Sequence, residues 1–188
     1  ENEGAEYATI AKNLQRGIGY VGLHGTPEVY FPPAFPAGIY LVAFLTRDFL
    51  LAGRIVALLG GALAAIMAGM LAARWFGRPA GFLAATLTLA TPLMLGISTA
   101  VLSETTYMAC SLAGILLIWQ AFEKRTTGAF AAAGAMMGAA HLTKPEVMIY
   151  ATLLIVLRFV VARTGKRLLL LRIPWFFVVY GLVISPYM

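Results

Sequence analysis

Charged residues are scarce in this chain. Only 12% of its 188 residues are Asp, Glu, Lys or Arg, whereas 61% are hydrophobic. A soluble domain carries about a quarter charged residues, so the composition excludes an ordinary soluble fold. Several apolar runs approach the ~20 residues that a helix needs to cross a bilayer core. The sequence therefore predicts an all-α polytopic membrane protein.

Cysteine is nearly absent as well. The single Cys110 lies inside an apolar run, which excludes a disulfide framework. The net charge of +6 does not indicate nucleic-acid binding, because the basic residues flank apolar runs as membrane-topology signals do. The chain starts without an initiator Met or a signal peptide and stops at the end of an apolar run. We expect a fragment that lacks an upstream helix and a C-terminal half.

Six apolar runs predict about six transmembrane helices, and the fourth and fifth are short for full spans. They fall at about 51–74, 79–97, 103–122, 128–143, 146–162 and 170–187. This transmembrane domain, 51–188, follows a first extracytoplasmic loop over residues 1–50. Within the loop, the apolar segment 34–47 is too short to cross, so we expect an interfacial juxtamembrane helix there.

Basic residues predict the orientation of the spans. They cluster in alternate connections, as Arg74 and Arg78, then Lys124 and Arg125, then Arg163, Lys166, Arg167 and Arg172. The positive-inside rule places all three connections in the cytoplasm. The connections 98–104 and 141–146, together with residues 1–50, then lie outside. We expect a multi-pass protein of a bacterial cytoplasmic membrane whose active site faces the extracytoplasmic side.

Small residues recur at helical spacing in two of the runs. They are Ala57, Gly61, Ala65, Gly69 and Ala73 in the first run, and Gly134 and Gly138 in the fourth. Such patterns let helix backbones approach closely in lipid. We assign them to packing and to no chemistry.

Three ionisable residues reach the predicted outer surface from three different spans. Arg54, Glu104 and Lys144 are costly at membrane depth, and such residues usually mark a functional site. A carboxylate can act as general base on an acceptor hydroxyl, and a cation can neutralise a departing phosphate. A sugar linked to a lipid phosphate would suit this combination.

Five segments also resemble a known family. In order they are "ENEGAEYATIAKNLQRGIGYVG", "VYFPPAFPAGIYLVAFL", "AGRIVALLGG", "ATPLMLGISTAVLSETTY" and "HLTKPEVMIY". They resemble family 39-type glycosyltransferases of the C-type membrane superfamily, which includes protein O-mannosyltransferases and lipid A aminoarabinose transferases. The resemblance implies transfer of a sugar from a polyprenyl-phosphate donor to an extracytoplasmic lipid, glycan or protein acceptor, with inversion at the anomeric carbon.

The resemblance also implies roles for individual residues. The family's catalytic carboxylate, usually Asp, lies shortly before a tyrosine in the first external loop and corresponds to Glu3, with Glu1 in reserve. "VLSE" matches a second acidic position, Glu104. The donor phosphate would contact Arg54 in "GR" and Lys144 in "LTKP". Where relatives carry an acid and a lysine before a proline, this chain has "YFPPAFP", so no contact is assigned there.

Simpler interpretations stay open for each residue. Glu3 could be a solvated surface acid, and Glu104 could favour the positive end of a helix dipole. Arg54 and Lys144 could extend to phospholipid headgroups. No cofactor is assigned, although a divalent metal is possible at the weak candidates His24, Glu28 and His141, whose spacing is not diagnostic.

The alternative to a transferase is a lipid-linked-sugar flippase or a polysaccharide-export membrane protein. A transporter should carry its polar residues near the bilayer midplane, whereas here they gather at the outer ends of spans. Membrane lipids are expected partners in either case, and nucleic acid is not.

Overall fold

The computed structural model describes residues 3–162 and 165–187, and this part of the chain is helical. Within it, no strand forms, and β-pairing is limited to one isolated bridge between Val21 and Pro27. The α-helices are α1 (Glu3–Gln15), α2 (Ala34–Thr46), α3 (Phe49–Phe76), α4 (Arg78–Ala90), α5 (Pro92–Thr99), α6 (Glu104–Lys124), α7 (Thr127–His141), α8 (Val147–Val161) and α9 (Lys166–Ile184). The all-helical membrane fold is confirmed.

Within the described part of the chain, three helices, or four if a bent pair counts as one span, meet the length and hydropathy of a membrane span, whereas the apolar runs predicted six. In the described residues, α3, α6 and the segment Lys166–Tyr187 are long and apolar enough to cross a membrane. A fourth span results if α4 and α5 are taken together. The helices α2 and α8 are apolar but shorter. The count of six therefore stays a prediction.

The second predicted run, 79–97, is two helices rather than one. The axes of α4 and α5 differ by 60°. The break lies at Thr91, whose φ of −65° and ψ of 125° are extended, and Pro92 begins α5. Proline lacks a backbone N–H and disfavours helical conformation in the residue before it. Thr91-Pro92 therefore ends one helix and starts the next.

The small residues serve close packing, as predicted. A Cβ at Gly69 in α3 would lie 2.9 Å from the carbonyl oxygen of Gly81 in α4. In α7, a side chain at Gly134 would collide with the Phe176 carbonyl of α9. Backbone contact of this kind is how membrane helices associate without large side chains.

The structure divides into two compact units, one ending at Ala109 and the other beginning at Cys110. In the first unit, α1 packs on α2 and α3. Their shared core contains Tyr7, Ala11, Phe35, Ile39, Ala43, Ala52, Ala57 and Val101. This core fixes α1 against the first half of α3. The predicted external loop therefore contains two packed helices, α1 and α2.

The predicted orientation is testable by cysteine labelling of the full-length protein with Cys110 replaced by Ser. Thr127, exposed at the start of α7, follows the basic Lys124-Arg125 pair. A cysteine at Thr127 should resist a membrane-impermeant thiol reagent in intact cells, because positive loops stay in the cytoplasm. A cysteine at the exposed His24 should react in the same cells. Labelling of the cysteine at position 127 in intact cells would show that the orientation is opposite to the predicted one.

Candidate active site

Helix α1 carries Glu3 and Tyr7 on one face, because residues four apart are neighbours on a helix. Tyr7 is 2% exposed. Its ring packs edge-on against Phe31 and Phe35, with centroids 5.0 and 4.9 Å away. These contacts fix the phenol and, through the helix, the position of the half-buried Glu3.

The Tyr7 hydroxyl links α1 to the segment before α6. It donates a hydrogen bond to Ser103 Oγ, 3.1 Å away. Burial raises the pKa of the Tyr7 phenol because it disfavours the phenolate, and the Ser103 hydrogen bond offsets part of that effect. The nearby carboxylates of Glu3 and Glu104 raise the pKa further. Tyr7 therefore remains a protonated donor between two carboxylates.

The start of α6 is anchored to α3. Thr105 is fully buried, and its hydroxyl donates to the Ala57 carbonyl oxygen over 2.8 Å. Gly60 permits this approach, because a Cβ there would lie 2.8 Å from the Thr106 nitrogen. Glu104, the first residue of α6, is therefore placed near Tyr7 and also beside the positive end of the helix dipole. Glu104 can therefore be both a site carboxylate and an acid that the helix dipole stabilises.

Glu3 and Arg54 line the same cleft. Its volume is about 380 Å³, and the lining residues are Glu3, Gly4, Ala5, Leu50, Arg54, Thr99, Ala100, Val101 and Leu102. The approach of α1 depends on Gly4, because a Cβ there would lie 3.0 Å from both the Cβ and the carbonyl oxygen of Val101. We name this space the Glu3–Arg54 cleft. A carboxylate and a guanidinium thus share one open cleft within the first unit.

A second groove adjoins that cleft and shares Ala5 and Leu50 with it. It is lined by Ala5, Ala8, Thr9, Lys12, Arg47, Asp48, Phe49 and Leu50, with a volume of about 460 Å³. The Asp48 carboxylate is already used, since it accepts hydrogen bonds from Leu50 N and Leu51 N at the start of α3. The groove therefore offers two cations, Lys12 and Arg47.

Lys144 belongs to the second unit, in the turn after α7. Its backbone N–H donates to the Ala140 carbonyl oxygen over 2.9 Å, and the preceding Thr143 is buried. A shared role for Lys144 with Arg54 and Glu104 therefore stays a prediction. The reserve acid Glu1 lies outside the described residues.

Two of the three weak metal candidates, Glu28 and His141, have structural partners of their own. The Glu28 carboxylate accepts from the Tyr30 backbone N–H over 2.7 Å, and His141 Nδ1 is hydrogen-bonded to the Tyr180 hydroxyl over 2.6 Å. His24 is exposed. Over residues 3–162 and 165–187, no three His, Cys, Asp or Glu side chains come together as a metal site would need. In the described part of the chain these three candidates therefore form no metal site.

Glu6, which does not align with the family's catalytic acid, is a structural residue. It is 6% exposed, and its carboxylate accepts from the Leu23 backbone N–H over 2.9 Å. A side chain at Gly22 would collide with that carboxylate. Glu6 therefore holds the loop at residues 22–23 against α1.

Replacing Tyr7 with Phe tests the link between α1 and Ser103. Losing one buried hydrogen bond should lower stability by about 1 kcal/mol near neutral pH. The folded protein keeps the Tyr7 proton where an unfolded chain, with the ordinary pKa of about 10, releases it. The stability that Tyr7 contributes is complete below this unfolded-state pKa, and it is lost progressively as pH rises from there through the raised folded-state pKa.

Melting curves of the wild type and the Tyr7→Phe variant should therefore converge above about pH 10. Glycosyl transfer near neutral pH should fall with KM unchanged, because the variant loosens Glu3 without removing it. A constant difference in Tm from neutral to alkaline pH would contradict the assigned environment of Tyr7.

Comparison with known proteins identifies the family. No curated protein and no solved structure matches the chain significantly. A family profile described as dolichyl-phosphate-mannose-protein mannosyltransferase matches residues 31–188. The match includes Arg54, Glu104 and Lys144 but not residues 1–30, where Glu3 lies. Because it covers most of the sequence, the chain belongs to the dolichyl-phosphate-mannose-protein mannosyltransferase family, a family of membrane glycosyltransferases.

Proposed function

We propose that this chain forms the extracytoplasmic catalytic region of a glycosyltransferase that takes a sugar from a polyprenyl-phosphate donor. The observation that carries the proposal is the Glu3–Arg54 cleft, where one carboxylate and one guanidinium line the same space. The family match supports the reaction class. Sugar transfer from a phosphate needs both groups, one to accept a proton and one to stabilise the leaving group.

The reaction follows from these two groups. Glu3 accepts the proton of the acceptor hydroxyl while the hydroxyl oxygen of the acceptor forms a bond to the anomeric carbon. The bond between that carbon and the donor phosphate oxygen breaks, and its electron pair stays on the phosphate. Arg54 stabilises the added negative charge through its planar guanidinium. Attack opposite the leaving group inverts the anomeric carbon.

The donor and acceptor would enter from different sides. Arg54 lies in α3, an apolar helix long enough to span a membrane, so the lipid chain of the donor can stay in the bilayer beside it. The acceptor would approach along the adjoining groove that shares Ala5 and Leu50. The hydrogen bond from Tyr7 to Ser103 would help to hold helix α1, and with it Glu3, beside the Glu3–Arg54 cleft.

The test is sugar transfer by the full-length protein in proteoliposomes. The assay supplies radiolabelled mannosyl polyprenyl phosphate and a crude envelope extract as the acceptor pool. Label should move from the acid-labile donor into an acid-stable product. A Glu146→Gln variant should keep this activity, since Glu146 is exposed and makes no side-chain capping hydrogen bond. Donor that crosses the bilayer with its sugar still attached would favour the flippase.

A further inference from the structure

Helix α8 contains one ionisable residue, Arg158, that the proposed reaction does not use. The helix is otherwise apolar apart from Tyr150 and Thr152. A cation within an apolar helix is costly, so such residues usually mark a functional site. An arginine near a membrane surface could simply extend to water. Arg158 instead turns toward other side chains of the second unit.

Aromatic rings hold the Arg158 guanidinium. Its Cζ lies 3.8 Å from the centroid of the Trp119 ring and 5.7 Å from that of Phe122. Trp119 is itself oriented by a hydrogen bond from Nε1 to Glu123 Oε1, 2.9 Å long. A guanidinium that stacks on an aromatic face still points its N–H donors outward in its own plane, where a ligand can accept them.

One of those donors is buried without a partner. Among the described residues, Arg158 Nε has no hydrogen-bond acceptor. A buried donor left unpaired is destabilising, and more so when it is charged. Such a group calls for a ligand that completes its hydrogen bonds.

A cavity of about 180 Å³ lies beside Arg158. It is lined by Phe122, Arg125, Arg158, Val161, Ala162 and Leu169. Among the residues that the structure describes, the lining contains two guanidinium-bearing residues, four apolar residues and no acid. Arg125 has a left-handed φ of 50°, which follows the end of α6 and directs the chain into the next turn. Gly165 has a φ of 72°, a left-handed conformation that favours glycine, and the Arg125 guanidinium lies close to it.

We infer that this cavity binds a phosphate group, and specifically the phosphodiester headgroup of an acidic phospholipid. The planar guanidinium of Arg158, whose Nε lacks an acceptor among the described residues, matches the geometry of phosphate oxygens better than a point charge does, and Arg125 adds positive charge to the cavity. The apolar wall, with Val161 and Leu169, suits the glycerol and acyl region of a lipid. By the predicted topology the site faces the inner leaflet, where Lys124, Lys166 and Arg167 add positive charge. The site uses none of the residues assigned to glycosyl transfer.

The test measures lipid binding to the purified full-length protein. Short-chain phosphatidylglycerol, short-chain phosphatidylcholine and inorganic phosphate are each titrated while Tm is followed, and native mass spectrometry counts retained phosphatidylglycerol. We expect a saturable rise in Tm with phosphatidylglycerol and a much smaller one with phosphatidylcholine. Arg158→Gln should weaken phosphatidylglycerol binding at least tenfold. Arg158→Lys should also weaken it, because lysine cannot present a planar pair of donors.

Arg78→Gln is the matched control, since Arg78 is an exposed basic residue at the start of α4. Displacement of phosphatidylglycerol by inorganic phosphate would support a phosphate site and assign it to a soluble ligand. Equal binding of both lipids, or unchanged binding in Arg158→Gln, would overturn the inference. If the variants fail to fold, the measurement on the wild-type protein still tests the inference. The absence of saturable phosphatidylglycerol binding to the wild type would overturn the inference.

Discussion

A Glu3→Gln variant is expected to lose about 10²–10⁴-fold in kcat, or about 3–5 kcal/mol of barrier stabilisation. Glutamine keeps the shape of the side chain and removes its basicity. Donor binding should be retained, because Arg54 and the apolar surface of α3 are unchanged. Single-turnover transfer from radiolabelled donor separates the chemical step from binding.

The control for Glu3→Gln needs a carboxylate without a structural role. Glu6 is unsuitable, because its carboxylate is buried and accepts the Leu23 N–H, so Glu6→Gln should cost stability instead. Glu146→Gln is the better match. Equal, mild losses in Glu3→Gln and Glu146→Gln would mean that Glu3 is only a surface acid. A severe loss in Glu1→Gln alone would move the base two residues toward the N-terminus.

Hydrophobic runs predicted the helices well, because the need for apolar surface in lipid acts on every residue of a span. Each of the six predicted runs corresponds to helical structure. The break between α4 and α5 was missed even though Pro92 marks it. Thr91 and Pro92 lie inside an apolar run, and hydropathy does not register a local loss of backbone hydrogen bonding.

Site residues were harder to predict from sequence because the site combines segments far apart in the chain. Glu3 was chosen by resemblance, and Arg54 was chosen first as an ionisable residue at membrane depth; the structure places both on one cleft. The hydrogen bond from Tyr7 to Ser103 spans 96 residues, and no local pattern reveals it. The i, i+4 spacing of Glu3 and Tyr7 was an available signal, since it puts both on one face of a helix. No sequence pattern indicated that Glu6 is buried, because its partner is the backbone N–H of Leu23 in a loop.

Replacing Arg54 with Gln should reduce kcat/KM by roughly 10²–10³-fold, the usual effect of removing a group that stabilises transition-state charge. Arg54 is exposed to the Glu3–Arg54 cleft, so the loss should arise without unfolding. Arg54→Lys should also be impaired, because an ammonium group cannot hold phosphate oxygens through two parallel hydrogen bonds. Arg16→Gln removes an exposed cation from the predicted external loop and should leave transfer unchanged. If Arg54→Gln retained wild-type kcat/KM with the lipid donor, the proposed phosphate contact would be wrong, and Arg54 would only contact phospholipid headgroups.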